Sequence, residues 1–273
     1  PAALFFLVLF FIPESPRWLL LRGSDERART VLSRIYPARH DAEQEIAAVR
    51  ATFRKSDEPQ WRALLEPGIR RAVAIGAFIA ILGPAGMGVN AVLYYGPTIF
   101  ENAGLSSGDS LFSQVLVGTV NMLTTVLALA IIDRVGRKQL VYWGVSGMIL
   151  SLIGIGVYFL FGTAWGLPNA FLLVFFLFYV FCCAVSICAV VFVLLSEYPT
   201  RVRGIAMSIA GLSLWVGTYL IGQLTPWMLE NLTPAGTFFL FAAMCIPYIV
   251  IMWRAVPETT GRSLEEIEKY WMN

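Results

Sequence analysis

The chain has 273 residues, of which 58% are hydrophobic and 14% are charged, and its formal net charge is +2. A soluble domain has about 25% charged residues, so this composition excludes a water-soluble globular protein and predicts a membrane protein. The small positive charge fits loops that face anionic lipid, and no nucleic-acid partner is expected.

Apolar runs in chain order predict the membrane-spanning helices. Residues 1–12 are apolar but shorter than the ~20 residues needed to cross the hydrocarbon core, and they lack the basic residues and cleavage site of a signal peptide. We interpret them as the end of a transmembrane helix whose N-terminal part is missing. Six longer runs follow, each continuously apolar and therefore typical of helices rather than barrel strands. They lie at 72–100, 111–132, 139–161, 167–195, 204–229 and 235–256.

The only long polar segment is 13–70. It contains apolar residues at helical spacing with charges on the other faces, a pattern typical of amphipathic helices. Ser24 followed by Glu26, and Asp41 followed by Glu45, are typical helix starts. We expect two or three short helices on the cytoplasmic membrane face, the alternative being a solvated linker.

Lysine and arginine occupy alternate connections, which predicts the orientation. Twelve of the twenty precede residue 72, and the other eight lie at 134–138, 201–203 and 254–269. The intervening connections contain none, at 101–110, 162–168 and 230–236. Because basic loops stay cytoplasmic, we expect a multi-pass protein of a plasma or inner membrane with both ends of this chain in the cytoplasm.

Residues suited to catalysis or metal binding are scarce. The single His40 lies in the charged segment, where a solvated role is expected, and no predicted span carries a carboxylate at mid-depth. The cysteines lie within predicted helices at spacings that match no metal site: Cys182, Cys183, Cys188 and Cys245. We therefore expect no enzyme activity, no metal and no cofactor.

The first full span contains residues that interrupt a helix. Glycine and proline recur between Gly83 and Gly88, and both weaken a helix interior. A break near the middle of a span is where transporters bind substrate. Just beyond it, Asn90 and Tyr94 are four residues apart and share a helix face, which predicts polar groups that point into a cavity.

Four connections combine acids with arginines: ESPRWLL from residue 14, DRVGRK from 133, LSEYPTRVRG from 195 and PETTGRSLEEIEKYW from 257. One such loop would be explained by interfacial anchoring. Four favour a gate whose charges pair across helix ends. The candidate gating residues are Glu14, Arg17, Asp133, Arg134, Gly136, Arg137, Glu197, Arg201, Arg203 and Glu258.

Together with VNAVLYYGPTIF at 89–100, these motifs resemble the sugar-porter branch of the major facilitator superfamily, over essentially the whole chain. The resemblance implies a twelve-helix transporter made of two six-helix halves with cytoplasmic helices between them. The expected fold is thus an all-α membrane protein, a six-helix C-terminal bundle with short cytoplasmic amphipathic helices. The expected parts are a helix end at 1–12, a cytoplasmic segment at 13–70, the bundle at 71–256 and a tail at 257–273.

The resemblance also implies a substrate site. Asn90 and Asn121 match positions whose asparagines contact sugar in the family, and the tyrosines after Asn90 help close the outward side. The helix-ten tryptophan of the family is Phe192 here. The implied solute-binding residues are Asn90, Tyr94, Tyr95, Asn121, Phe192, Trp215 and Thr218.

Several positions depart from the family pattern. Where the family has two glutamines before the break, this chain has Pro84 and Ala85. The family's Gly-Pro in helix ten is replaced by Cys188–Ala189, and its polar residue before the helix-eleven tryptophan is replaced by Leu214. Each lost amide can remove about 1–3 kcal/mol of binding free energy, so a standard hexose is expected to bind poorly.

The expected function is transport of a sugar or a similar small polar solute by alternating access, by symport or uniport. The expected partners are that solute, the missing half and the bilayer. The alternative is a transporter-like receptor or sensor of a non-hexose solute, since lost polar contacts would also follow from a loss of transport.

Overall fold

A computed structural model describes residues 6, 10–35, 43, 46–47, 64–162, 164–191, 202–256 and 258. All regular structure in these residues is helical. The chain forms two compact units, Pro1–Gln60 and Trp61–Asn273. Phe192, Glu197 and Arg201 lie outside the described residues, as do the side chains of Arg17 and Asp133.

The first unit contains two described helices, α1 (Pro16–Leu21) and α2 (Asp25–Ile35). Proline at the first position of α1 suits a helix start, where its missing N–H has no partner to lose. The start predicted at Ser24 is confirmed, since α2 follows it with two acids in its first turn. The second predicted start, at Asp41, lies outside the described residues. The buried face joins both helices through Leu19, Leu20, Ala28, Leu32 and Ile46.

Among its described residues, the second unit contains five helices that are long and apolar enough to cross a membrane. They fall on five predicted runs and confirm the all-α membrane fold. The remaining run, 72–100, is divided by a break, so the count of six spans stays a prediction. Two shorter helices flank the break, and the candidate spans are the five that follow them. In chain order the helices are α3 (Pro67–Ile81), α4 (Val89–Asn102), α5 (Ser107–Val135), α6 (Arg137–Phe161), α7 (Asn169–Cys183), α8 (Arg203–Asn231) and α9 (Thr233–Ala255).

Two π-helical turns interrupt this pattern. The first π turn (Leu82–Gly86) lies between α3 and α4, and the second (Ala184–Cys188) extends α7. They approach each other at one point, because a Cβ added at Gly83 would lie 3.5 Å from Ile187 Cγ2. Single π turns inside helices are frequent at functional sites. Their apposition in the bundle therefore marks the region to search for a solute site.

Small residues allow the helices to approach closely. α6 packs between α7 and α9, and α3 packs against α8. At Gly144 of α6, a Cβ would overlap Ser186 of the second π turn, and at Gly217 of α8 it would lie 2.8 Å from the Ile81 carbonyl oxygen. Lipid supplies no hydrophobic drive between helices, so such contacts depend on close van der Waals packing.

Two prolines inside helices are compensated by side chains from neighbouring helices. Pro97 in α4 leaves the Leu93 carbonyl without its usual donor, and Gln114 Nε2 donates to that oxygen at 2.9 Å. Pro226 in α8 likewise leaves the Gly222 carbonyl without its usual donor, and the Tyr95 hydroxyl of α4 donates to that oxygen at 2.8 Å. A membrane interior offers no water to the freed carbonyls, so these bonds tie α4 to both α5 and α8.

Candidate substrate site

The helix break predicted between Gly83 and Gly88 is confirmed. Gly88 lies after the first π turn and directly before α4, and its φ of +74° is left-handed. Only glycine adopts this angle without a steric cost from Cβ. The ring of Phe241 also occupies the space that a Cβ would need. The sequence therefore places α4 as a new helix that starts inside the bundle.

Asn90 lies in the first turn of this new helix and contacts another predicted site residue. Its Nδ2 donates to Thr218 Oγ1 of α8 at 3.0 Å. The hydroxyl of Thr218 accepts this bond with a lone pair and keeps its own proton to donate, while the amide keeps its carbonyl oxygen. The pair thus offers one donor and one acceptor side by side, as a sugar hydroxyl requires.

Two large aromatic side chains flank the Asn90–Thr218 pair. Tyr94, one turn along α4, is 58% exposed, and Trp215, three residues before Thr218 on α8, is 68% exposed. Spacings of three and four residues put each aromatic on the same helix face as its polar neighbour. Four predicted residues therefore combine amide, hydroxyl and ring faces, the groups that recognise a polar ring with an apolar side.

Asn121 lies beside a separate small crevice. Its volume is about 10 Å³, and Val89 and Leu93 from α4, with Tyr179, Cys183 and Cys188 from α7 and its π turn, are among its lining residues. This volume suits about one water molecule, so the crevice does not hold a sugar in this arrangement. Of the predicted site residues, Asn90 and Thr218 are joined directly, whereas Asn121 lies on the other side of α4.

Tyr95 has a structural partner. Its hydroxyl donates to the Gly222 carbonyl oxygen at 2.8 Å, the oxygen that Pro226 leaves without a backbone donor. A phenol held by this bond points along the α4–α8 contact. The geometry favours a role in joining these two helices over direct contact with solute.

Sequence reasoning missed Tyr179 and the second π turn. The Tyr179 hydroxyl donates to the Met87 carbonyl oxygen at 2.6 Å and so secures the chain at the break. A signal existed for Tyr179, because it is the only polar side chain besides the cysteines in FLLVFFLFYVFCC. The second π turn has no such signal, since AVSIC contains neither glycine nor proline.

The predicted gate residues lie at helix ends in the described parts of each unit. Gly136 alone connects α5 to α6, with a φ of +95°. The Glu258 carboxylate accepts from the Lys138 backbone N–H at 3.1 Å, in the first turn of α6, and Lys138 Nζ donates to the Trp253 carbonyl oxygen near the end of α9 at 3.1 Å. Both contacts match the charge preference of helix ends. Arg134 and Glu14 are exposed, and Arg137 and Arg203 are half-buried.

A family model described as "Sugar (and other) transporter" matches residues 1–271. The chain belongs to this family. Its match confirms the resemblance drawn from the loop motifs.

Among the family's relatives, the arabinose-proton symporter of Bacillus subtilis (strain 168) is 35% identical over 273 residues, which is 100% of this chain and 58% of that protein. The D-xylose-proton symporter of Escherichia coli (strain K12) is 33% identical over 278 residues, covering 99% of this chain and 55% of that protein. The chain therefore spans little more than half the length of these relatives.

Among solved structures, the major facilitator superfamily proton:xylose symporter XylE bound to 6-bromo-6-deoxy-D-glucose aligns with a TM-score of 0.80 and 32% identity. The alignment covers 99% of this chain and 57% of that one. It confirms the predicted fold class. The names of these relatives describe transporters, which agrees with the expectation that the chain is not an enzyme.

Proposed function

We propose that the complete protein moves a sugar or a similar small polar solute across a membrane by alternating access. The observation that carries this proposal is the Asn90–Thr218 bond at the start of a helix that begins inside the bundle. Discontinuous helices at this depth supply polar backbone and side chains to a solute in an otherwise apolar environment. The relatives' names, which describe symporters and transporters, favour transport over the sensor alternative.

The solute shares the Asn90–Thr218 pair in this proposal. A hydroxyl of the solute accepts or donates at the amide and the threonine, while the faces of Tyr94 and Trp215 cover its apolar C–H side. Asn121 joins the site only if the crevice beside it opens, since about 10 Å³ is too small for a solute. Tyr95 supports the site through Gly222 and does not touch the solute.

A pentose is the solute we expect first. Pro84 and Ala85 supply no side-chain amide before the break, so fewer hydroxyl groups can be satisfied than in a site with two additional amides. Two of the relatives are named for arabinose and xylose. A pentose has fewer hydroxyls to satisfy than a hexose, which suits a pocket with fewer polar side chains.

The connections at the ends of the helices act as the cytoplasmic gate in this proposal. The backbone N–H of Lys138 binds Glu258, just beyond the end of α9, and its Nζ binds the Trp253 carbonyl oxygen in the last turn of α9. Movement of α6 against this end of α9 must therefore break both contacts. Arg134, Arg137 and Arg203 lie at helix ends of the same bundle. A second helical bundle completes the pathway, and both ends of this chain face the cytoplasm.

The test is uptake of labelled pentoses, hexoses and polyols into vesicles that contain the complete protein. We expect saturable uptake of a pentose that Asn90→Leu abolishes, because leucine removes both the donor and the acceptor of the amide. Asn102→Leu is the matched control, since Asn102 is exposed at the other end of α4. Unchanged uptake by Asn90→Leu, or no uptake of any member by correctly inserted protein, would contradict the proposal.

A further inference from the structure

The second π turn brings two thiols together. Cys183 ends α7 and Cys188 ends the π turn, and their Sγ atoms are 3.7 Å apart. In an α-helix, residues five apart are rotated by about 140° around the axis. A π turn, whose hydrogen bonds join residues i and i+5, stacks such residues on one side. The contact between these sulfurs is therefore a direct product of the π geometry.

The two thiols also share an opening. Both line the small crevice beside Asn121. Cys188 is exposed, and Cys183 is 3% exposed behind it. A reagent that approaches from the exposed side of Cys188 meets this residue before Cys183, whose sulfur lies within contact distance of the Cys188 sulfur. An exposed thiol next to a buried one is the arrangement that favours capture by both in sequence.

The remaining cysteines differ in both respects. Cys182 and Cys245 are buried free thiols. Cys182 points at α6, where a Cβ added at Gly147 would meet its sulfur. Cys245 lies in α9 and is fully buried. The chain thus carries its own matched controls, two thiols of the same bundle that lack an exposed partner in contact.

The number of ligands decides which reagent suits the pair. No group of three or more metal-binding side chains occurs among the described residues, and zinc in a structural site takes four protein ligands. Trivalent arsenic that already carries one organic group needs only two more bonds. Two neighbouring sulfurs satisfy it completely, and a single thiol does not.

We propose that Cys183 and Cys188 form a two-thiol capture site for a trivalent organoarsenical. Both S–H bonds break, two As–S bonds form, and the arsenic-bound oxygen leaves as water with the two protons. Arsenic stays trivalent and both sulfurs keep their oxidation state, so no oxidant or reductant is needed. The product is a ring closed across the second π turn.

The bridge has a structural consequence. It ties together residues that are neighbours only in the π geometry, so it holds the turn in that form. The arsenic atom lies at the edge of the crevice beside Asn121 and Tyr179, whose volume of about 10 Å³ is too small for the organic group, so that group extends from the exposed side of Cys188. We expect the bridge to inhibit uptake, a consequence that rests on the proposed transport function, whereas capture itself does not.

The test uses purified complete protein and phenylarsine oxide, with intact-mass measurement. We expect one phenylarsenic group per chain, removed by 2,3-dimercaptopropanol and resistant to excess 2-mercaptoethanol. Cys183→Ser and Cys188→Ser should each lose this resistant adduct, and Cys182→Ser and Cys245→Ser should keep it. No adduct on the unaltered protein, or a resistant adduct on Cys188→Ser, would overturn the proposal.

A second measurement separates loss of the site from loss of the fold. In Cys183→Ser, the exposed Cys188 should still react with a maleimide in membranes, and Cys188→Ser should lose that reaction. A Cys188 that stays unreactive in both the unaltered protein and Cys183→Ser would contradict the accessible pair. If the adduct forms but no sugar is taken up with or without it, the capture site stands and the transport proposal fails.

Discussion

The two π turns use the same backbone geometry but arise from different sequences. The first is LGPAG, in which glycine and proline disfavour an α-helix, and the helix ends there. The second is AVSIC, which contains no such residue, and helix continues beyond it to Val191. The first π turn agrees with residues that disfavour an α-helix, and we expect close packing against neighbours such as Gly144 to shape the second.

The consequences differ as well. The first π turn leads into the polar start of α4, where Asn90 meets Thr218. The second presents sulfur, with Cys183 and Cys188 in contact. The first turn is thus followed by groups that form hydrogen bonds, and the second carries groups that bind soft ligands. Substitutions around each turn can show whether the two turns depend on each other.

The largest loss of stability should come from Gly88→Ala. A non-glycine residue in the left-handed region costs about 1–2 kcal/mol, and overlap with Phe241 adds about 1–3 kcal/mol. Thermal unfolding of the purified protein should show a clear decrease in its midpoint. Gly211→Ala is the control, because Gly211 lies inside α8 with no atom near its added Cβ. Equal midpoints for the two variants would show that the break does not require glycine.

Gly144→Ala tests the second π turn in the same way and should have the next largest effect. Its Cβ would overlap Ser186 and lie 2.8 Å from the Cys182 carbonyl oxygen. Overpacking of this kind costs about 1–3 kcal/mol. The unfolding midpoint should fall, and the adduct with phenylarsine oxide should weaken because the thiols separate. An unchanged adduct would show that packing against α6 does not shape this turn.

Tyr95→Phe separates helix joining from solute contact. The variant removes the donor to the Gly222 carbonyl oxygen, and bonds between membrane helices contribute about 0.6 kcal/mol on average. Stability should therefore fall slightly, while the concentration of pentose that gives half-maximal uptake stays the same. Tyr219→Phe, at an exposed position of α8, provides the control. A large change in that concentration with Tyr95→Phe would return Tyr95 to the solute site.

A similarly small effect should come from Glu258→Gln. The charge near the start of α6 is lost, which costs about 0.3–1 kcal/mol at an exposed helix end. Uptake rates at saturating solute should change more than binding, because the proposed function assigns this contact to the gate. Glu230→Gln is the control with the opposite sign, since Glu230 lies near the C-terminal end of α8, where a negative charge is unfavourable. Equal effects of the two variants would argue against a gate at α6.

Much of the architecture could be read from the sequence. The apolar runs predicted five described spans, and the glycines and proline after residue 82 predicted where the remaining run, 72–100, would break. These features are local, because hydrophobic length and backbone preference are set by neighbours in the chain. The loop motifs likewise identified the family, since several charged turns in a fixed order are specific even where each alone is weak.

Other features depended on residues far apart in the chain. The amide of Asn90 finds Thr218, and the carbonyls freed by Pro97 and Pro226 find Gln114 and Tyr95, only because α4 packs between α5 and α8. The contact between Cys183 and Cys188 exists only in a π turn that no local residue requires. The sequence by itself therefore determined the spans, the break and the family. Tertiary packing decided which polar groups are joined to one another, because a buried donor takes the nearest acceptor that the neighbouring helices provide.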